Sequence, residues 1–324
     1  MLVFIAGLNP EVGNMISTRV MEIVGNDQRV INYRTDWKGY KSPHYSLIVK
    51  LQNMTLDCLE ESGKRGFTDV SLELNDVDLE ENSYKNLMEL WGCLDVSHAK
   101  SVRIVTPFNS TSEREDNWDL MLLRWSSNIL QKLHICDHGQ CIRGESLYVV
   151  LMEAKSSIES FGLRTVDLTT LGNRLVEMLT TPKLKSFGFV TGVKITHEQI
   201  DELLRLWANS SQMLEFCLQG LECTCTTHRY GSCKYKLDMS SHKHLKKLKL
   251  IWLNASNITL DAEELINCKI GWMYIQGAIK SALDCLQHAD NLETLFCGGC
   301  MHPQDIDALV DTVAQGFESL NRLK

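Results

Sequence analysis

Short stretches of the chain alternate apolar and polar residues, and segments with helical spacing separate these stretches. Residues 67–77 follow the pattern L-x-x-L-x-L-x-x-N-x-L, which is typical of a leucine-rich repeat. Beginning with Val70/Leu72, pairs of apolar residues two positions apart recur every 22 to 32 residues: Val102/Ile104, Leu133/Ile135, Phe161/Leu163, Phe187/Phe189, Phe216/Leu218, Leu248/Leu250, Met273/Ile275 and Leu295/Cys297. Each pair predicts a strand that buries one face.

The intervening segments predict helices. Residues 200–207 carry apolar residues at helical spacing, and Thr196 with Gln199 forms a capping box before them. Parallel strands joined by right-handed helical crossovers are the common way to connect such units. The predicted fold is therefore α/β, a leucine-rich-repeat-like solenoid of strand–helix units with a curved parallel sheet over residues 66–324. Residues 1–65 are predicted to form an N-terminal cap or degenerate repeat, with a strand from Tyr45 to Leu51 and a helix beginning near Leu56.

Residues that flank the apolar pairs should point to the concave face of this sheet. In the third unit these residues are Lys132 and His134. In the C-terminal third they form a predicted protein-binding surface of Lys247, Lys249, Ile251, Trp272, Tyr274 and Phe296. A register shift of one residue in the eighth unit is the alternative, and it would bury Trp272 and Tyr274 as core.

Composition narrows the classes of partner and compartment. A net charge of −8 and a pI near 5.7 argue against a nucleic-acid partner. No apolar run is long enough to span a membrane, and residues 1–8 lack the basic start of a signal peptide. The twelve cysteines are scattered, which favours reduced thiols in a cytoplasmic or nuclear protein. An extracellular receptor domain is an alternative, based on sequons at Asn53, Asn109, Asn209, Asn254 and Asn257.

Few residues suggest catalysis. Cys223, Cys225, His228 and Cys233 could hold zinc, but their spacing departs from the usual zinc knuckle, and we interpret residues 221–234 as a loop with free thiols. A metal- or thiol-dependent enzyme built on loop 223–233 remains an alternative. Cys297 and Cys300 fall on repeat positions, so their C-x-x-C spacing favours a structural role. We predict no catalytic residue and no cofactor.

Two phrases resemble the C-terminal domains of nematode F-box proteins. They are Leu203-Leu-Arg-Leu-Trp-Ala-Asn-Ser-Ser-Gln-Met-Leu-Glu-Phe216 and Ile258-Thr-Leu-Asp-Ala-Glu-Glu-Leu-Ile-Asn-Cys268. Leu8-Asn-Pro-Glu-Val12 is similar to an F-box opening, although the Leu-rich three-helix pattern does not follow it. The resemblance implies a non-enzymatic adaptor that recruits substrates through its Leu-rich domain and binds Skp1 and cullin subunits of a ubiquitin ligase, or a regulator derived from such an adaptor.

Overall fold

The structure is a computed structural model. It describes residues 9–38, 42–67, 70–80, 94–95, 97–107, 112–124, 127–207, 212–224, 235–271, 273, 275, 277–287, 289–299, 302–315 and 322–323. The chain divides into two compact units, Met1–Gly162 (unit 1) and Leu163–Lys324 (unit 2). The predicted boundary near residue 65 falls within unit 1. Both units are mixed α/β with parallel strands, as the sequence predicts.

The described part of unit 1 begins with three helices, whereas the sequence predicted only one helix here, beginning near Leu56. The three helices are α1 (Pro10–Gly25), α2 (Gln28–Thr35) and α3 (Tyr45–Lys64). Asn9 caps α1 by accepting from the Val12 N–H at 3.2 Å, and Asp27 caps α2 by accepting from the Arg29 N–H at 2.8 Å. The predicted strand from Tyr45 to Leu51 is wrong, because Ile48, Leu56 and Leu59 form the buried face of one continuous helix.

Four strands of unit 1 lie side by side in the order β2 (Asp76–Leu79), β4 (Ser101–Thr106), β5 (Lys132–Asp137) and β6 (Ser160–Arg164), and β6 crosses the boundary between the units. A separate parallel pair joins β1 (Leu72–Glu73) to β3 (Leu94–Asp95). The connections contain helices α4 (Ser112–Arg124) and α5 (Gly144–Glu153). The first strand of the larger sheet therefore uses Val77 and Leu79 as core, and not the predicted Val70 and Leu72.

The strands of unit 2 lie in the order β7 (Ser186–Val190), β9 (Glu215–Gln219), β12 (Lys247–Ile251), β14 (Asn267–Gly271), β15 (Thr294–Gly298) and β16 (Arg322–Leu323), all parallel. Its helices are α6 (Arg174–Leu179), α7 (His197–Trp207), α8 (Ala278–Leu286) and α9 (Pro303–Gln315). The predicted capping box at α7 is confirmed, since Thr196 and Gln199 exchange hydrogen bonds of 2.9 and 3.3 Å. No helix among the described residues is long and apolar enough to cross a membrane.

Two connections in unit 2 depart from strand–helix alternation. Short parallel pairs join β8 (Lys194–Ile195) to β10 (Glu222–Cys223), and β11 (Tyr235–Met239) to β13 (Ala255–Leu260). The segment between β12 and β14 thus contains a strand where a helix was predicted. The predicted eighth strand at Met273 and Ile275 is also wrong. The strand is β14, with Cys268 and Ile270 as its buried pair, and it ends at Gly271.

Candidate protein-binding site

One side of the sheet in unit 2 offers charged and aromatic side chains between buried ones. In β12, Leu248 and Leu250 are buried, whereas Lys247 is exposed and Lys249 is partly exposed. Lys269 of β14 is exposed, and Thr294 and Phe296 of β15 are partly exposed. Because successive side chains of a strand point to opposite sides, these residues share one side of the sheet. We call it the open face: Lys247, Lys249, Lys269, Thr294 and Phe296.

The register brings the residues of the open face into rows. Lys249 lies opposite Lys269, and Lys269 lies opposite Phe296. Lys247 forms an ion pair with Glu215, and Lys249 donates a hydrogen bond to the Gln219 side chain. Three ammonium groups thus stand near one carboxylate. The open face therefore carries local positive charge on a chain whose net charge is −8.

Glycines shape the surface beside Phe296. A Cβ atom on Gly298 would lie 2.9 Å from the Phe296 ring, so the ring lies over Gly298. A Cβ on Gly271, the neighbour of Gly298 in register, would lie 2.4 Å from the Gly298 carbonyl oxygen. Only glycine permits this close approach of the two strands at their ends. The result is a partly exposed aromatic ring held beside Lys269.

The predicted binding residues fall into three groups: some lie on the open face, one is buried, and two lie outside the described residues. Lys247, Lys249 and Phe296 lie on the open face. Ile251, predicted to be exposed, is buried with 7% of its surface accessible. It stands at the last position of β12, where the Gly220 N–H donates to its carbonyl and the turn at Trp252 follows. Trp272 and Tyr274 lie outside the described residues.

In unit 1 the predicted exposed positions are buried. Lys132 has no accessible surface and His134 has 6%. The Lys132 ammonium donates to the Tyr33 carbonyl oxygen at 2.7 Å and stands 3.6 Å from the centre of the Tyr33 ring. His134 Nδ1 lies 2.7 Å from the Trp37 carbonyl oxygen. The prediction of an open face here is wrong because the end of α2 and the residues after it cover these strands.

A buried ion pair also connects α2 to β2. Arg34 of α2 binds Asp76 through two hydrogen bonds of 2.8 and 2.7 Å, and Ser101 also donates to Asp76 at 2.7 Å. Both members of the Arg34–Asp76 pair are buried. Paired and hydrogen-bonded in this way, the two charges avoid the full cost of desolvation. We call this side of unit 1 the covered face: Asp76, Asp78, Ser101, Arg103, Lys132 and His134.

A second ionic cluster of the covered face involves α3. Arg103 forms an ion pair with Asp78 and a second one with Glu80 at 2.6 Å, and the Tyr45 hydroxyl donates to Asp78 at 2.5 Å. Burial raises the pKa of Asp78, although Arg103 and the hydrogen bonds act in the opposite direction. Burial also raises the pKa of Tyr45, and the Asp78 carboxylate adds to that shift. Tyr45 therefore remains a hydroxyl donor throughout the physiological pH range.

Gln52 of α3 closes the edge of β2. Its side-chain amide donates to the Asp78 carbonyl at 2.9 Å, and its carbonyl accepts from the Asp78 N–H at 2.7 Å. These two bonds replace the backbone hydrogen bonds that a neighbouring strand would make with Asp78. An edge strand with unpaired backbone groups is a template for aggregation, and Gln52 removes part of that template.

The structure describes only some of the residues considered for metal or redox chemistry. Among the described residues there is no group of three or more His, Cys, Asp or Glu side chains that could hold a metal ion. Cys223 is partly exposed in β10, whereas Cys225, His228 and Cys233 lie outside the described residues. Burial raises the pKa of the Cys297 thiol to about 12, which leaves almost no reactive thiolate at neutral pH. Cys300 lies outside the described residues.

No protein-family model matches the chain, and no curated protein matches it significantly. The candidate site therefore rests on the geometry of the open face and of the covered face. The covered face is the part that sequence reasoning missed. The sequence did contain a signal for the covered face. Charged residues recur at the outward positions of neighbouring strands, namely Asp76, Asp78, Arg103 and Lys132. Charged side chains that are buried need polar partners, so such a row can indicate a face covered by another element.

Proposed function

We propose that the chain is a non-enzymatic protein-binding scaffold whose partner docks on the open face of unit 2. The observation that carries this proposal is the row of Lys249, Lys269 and Phe296, which combines accessible positive charge with a partly exposed aromatic ring. Aromatic residues ringed by polar groups are typical of protein-binding hot spots. The partner would present negative potential together with an apolar side chain.

The finer proposal is a substrate adaptor of a cullin-type ubiquitin ligase, or a regulator derived from one, acting in the cytoplasm or nucleus. Its support is the resemblance of two sequence phrases to F-box proteins, together with the three helices α1–α3 at the start of the described chain. In this proposal the strand–helix units form a leucine-rich-repeat-like solenoid with a curved sheet, and α1–α3 contact the Skp1 subunit.

Comparative affinity capture tests both levels of the proposal. The full chain and the variant Lys269→Glu/Phe296→Ala are used as baits in cell extract, with Lys280→Glu as a control because Lys280 is exposed on α8. We expect a protein that the wild type and the control retain and the double variant loses. Truncating Phe296 alone should weaken binding of that protein by about 2 kcal/mol.

The scaffold proposal and the adaptor proposal can be rejected independently. If every captured protein binds the double variant as well as the wild type, the open face is not the docking site. If the face-dependent partner is found but Skp1 and cullin subunits are reproducibly absent, the adaptor assignment is wrong and the scaffold assignment stands.

A further inference from the structure

The covered face and the open face repeat one arrangement of basic side chains. Strand β5 reads Lys132-Leu-His134-Ile, and β12 reads Lys247-Leu-Lys249-Leu, with the two aliphatic residues buried in each. A neighbouring strand adds a third basic residue opposite the second one. It is Arg103 opposite His134 in unit 1 and Lys269 opposite Lys249 in unit 2.

The residue opposite the first lysine is small and neutral in both units. Ser101 lies opposite Lys132, and Asn267 lies opposite Lys247. The two faces differ in what lies on them. Unit 1 shows what the first two basic residues bind, because their ligand is part of the same chain, whereas Arg103 is paired with Asp78 and Glu80.

That ligand is the C-terminal end of a helix. Tyr33 is in the last turn of α2, and Trp37 follows two residues after the helix ends at Thr35. Lys132 binds the Tyr33 carbonyl, and His134 Nδ1 carries the proton toward the Trp37 carbonyl, since a carbonyl oxygen can only accept. The last carbonyl groups of a helix lack partners within it and carry the negative end of its dipole. Basic side chains on a sheet can donate hydrogen bonds to these carbonyl groups and place positive charge near the negative end of the dipole.

Aromatic contact adds selectivity to this recognition. The Lys132 ammonium stands over the Tyr33 ring, which is a cation–π interaction. The Trp37 residue lies against Gly162, where a Cβ would be 3.0 Å from its carbonyl oxygen and 3.5 Å from its ring. A small residue beside the second basic residue therefore gives an aromatic group room to lie on the sheet.

In unit 2 the position opposite Lys249 on the preceding strand is closed, because Cys217 has only 1% of its surface accessible. On the strands that follow, Lys269 lies opposite the partly exposed Phe296. The accessible aromatic contact of the open face is therefore Phe296. In both units the aromatic contact lies on the side of the strand that follows the lysine strand.

We propose that the open face binds the C-terminal end of a helix of a protein partner, with an aromatic residue in or just after its last turn. The inference rests on the proposed function and names the partner's recognition element. The lysines take the terminal carbonyl groups, and the aromatic ring packs against Phe296 beside Lys269. Lys269 is available for this role, because it is exposed and makes no hydrogen bond or ion pair with described residues.

The existing contacts of the open face differ from one lysine to the next. Lys247 is 46% exposed, but its partner Glu215 is only 14% exposed. A helix end therefore has to compete with the Lys247–Glu215 pair and with the Lys249–Gln219 hydrogen bond, whereas Lys269 has no described partner to give up. In unit 1 the corresponding cations are buried and already occupied.

The probe is a peptide with the sequence of residues 27–38, which contains Tyr33 and Trp37. It is acetylated, amidated, stapled on the side that carries neither aromatic residue, and labelled with a fluorophore. Its helicity is verified by circular dichroism. Fluorescence anisotropy measures its binding to the full chain, to Lys249→Glu/Lys269→Glu, and to the matched control Lys243→Glu/Lys280→Glu, whose lysines are exposed elsewhere in unit 2. A second peptide carries Tyr33→Ala and Trp37→Ala.

We expect the peptide to bind the wild type and the control equally. The open-face variant and the alanine peptide should each weaken binding by about fivefold or more, the effect of losing one or two charge-assisted or aromatic contacts. Failure of the helical peptide to bind, or equal affinity for wild type and open-face variant, overturns the inference.

A competing ligand separates this inference from the proposed function. If an unstructured copolymer of Glu and Tyr binds the open face more tightly than the helical peptide, and loses affinity in the same variant, the helix-end assignment is wrong. The scaffold proposal then stands with an acidic extended segment as its ligand. Only a failure of the capture experiment removes the scaffold proposal itself.

Discussion

Individual side chains decide whether a polar position on these strands is buried or available. The alternation of apolar and polar residues predicts correctly that Leu248 and Leu250 lie in the core and that Lys247 and Lys249 do not. The same pattern gives the wrong result for Lys132 and His134, which are buried. Periodicity assigns a side of the strand, but it contains no information about what covers that side.

The buried pair Arg34–Asp76 gives the residue-scale prediction. Arg34→Met should leave the Asp76 carboxylate buried with Ser101 as its remaining side-chain donor, and should lower the free energy of unfolding by about 3–5 kcal/mol. Adding Asp76→Leu should restore a large part of that loss, because the unpaired charge is gone. Urea unfolding of both single variants and the double variant measures the coupling between the residues.

Arg19 provides the control for this cycle. It forms an ion pair with Glu22 on the exposed surface of α1, with 72% and 55% of the two side chains accessible. Arg19→Met should change stability by less than about 1 kcal/mol. Equal effects of Arg34→Met and Arg19→Met would mean that the buried pair does not hold α2 on the sheet.

At the scale of elements, the prediction of strands from apolar pairs two residues apart is correct for β4, β5, β6, β7, β9, β12 and β15. It fails for β14, because Met273 is also buried, so two pairs, Cys268/Ile270 and Met273/Ile275, compete for one strand. It fails for α3 because Tyr45, Leu47 and Val49 alternate like a strand, although the helix is 20 residues long and its buried side includes Ile48 and Leu56.

The packing of α2 and its following residues on β6 depends on Gly162. A Cβ at this position would lie 2.9 Å from His134 Nδ1 and 3.0 Å from the Trp37 carbonyl, so Ala would separate two groups that are hydrogen-bonded to each other. Gly162→Ala should destabilise unit 1 by about 1–3 kcal/mol. Hydrogen exchange should rise at the amides of α2, and urea unfolding should report the loss in stability.

Gly63→Ala is the matched substitution for this prediction. Gly63 lies in α3 of the same unit, and a Cβ there meets no atom within 4 Å. Alanine has the higher helix propensity, so this variant should be neutral or stabilised by up to about 1 kcal/mol. The same response in both variants would contradict the close packing of Trp37 on Gly162.

At the scale of the whole molecule, the local charge of the open face is opposite in sign to the net charge of the chain. The chain carries −8, yet Lys247, Lys249 and Lys269 concentrate positive charge on one face of unit 2. Composition predicted the acidic balance but could not locate the three lysines on one face, because the register of β12 with β14 brings them together. A local cluster of lysines raises the question of whether phosphate, and not a protein, is its ligand.

We expect the protein not to bind nucleic acid. Three lysines can neutralise at most about three phosphates, and each contact contributes a term that falls with rising salt. At physiological salt the Debye length is about 8 Å, so the surrounding negative charge is only partly screened near the face. Anisotropy with a labelled DNA duplex should therefore show a Kd weaker than about 100 μM at 150 mM salt.

The salt series and the open-face variant make this prediction specific. Lowering the salt concentration to 50 mM should increase affinity modestly, because so few phosphates are engaged. Lys249→Glu/Lys269→Glu should leave duplex binding unchanged at 150 mM salt. Micromolar binding that falls steeply with salt and disappears in this variant would instead assign the row to phosphate. In that case the expectation that the protein does not bind nucleic acid would be wrong, and the capture experiment would decide whether a protein also docks on the open face.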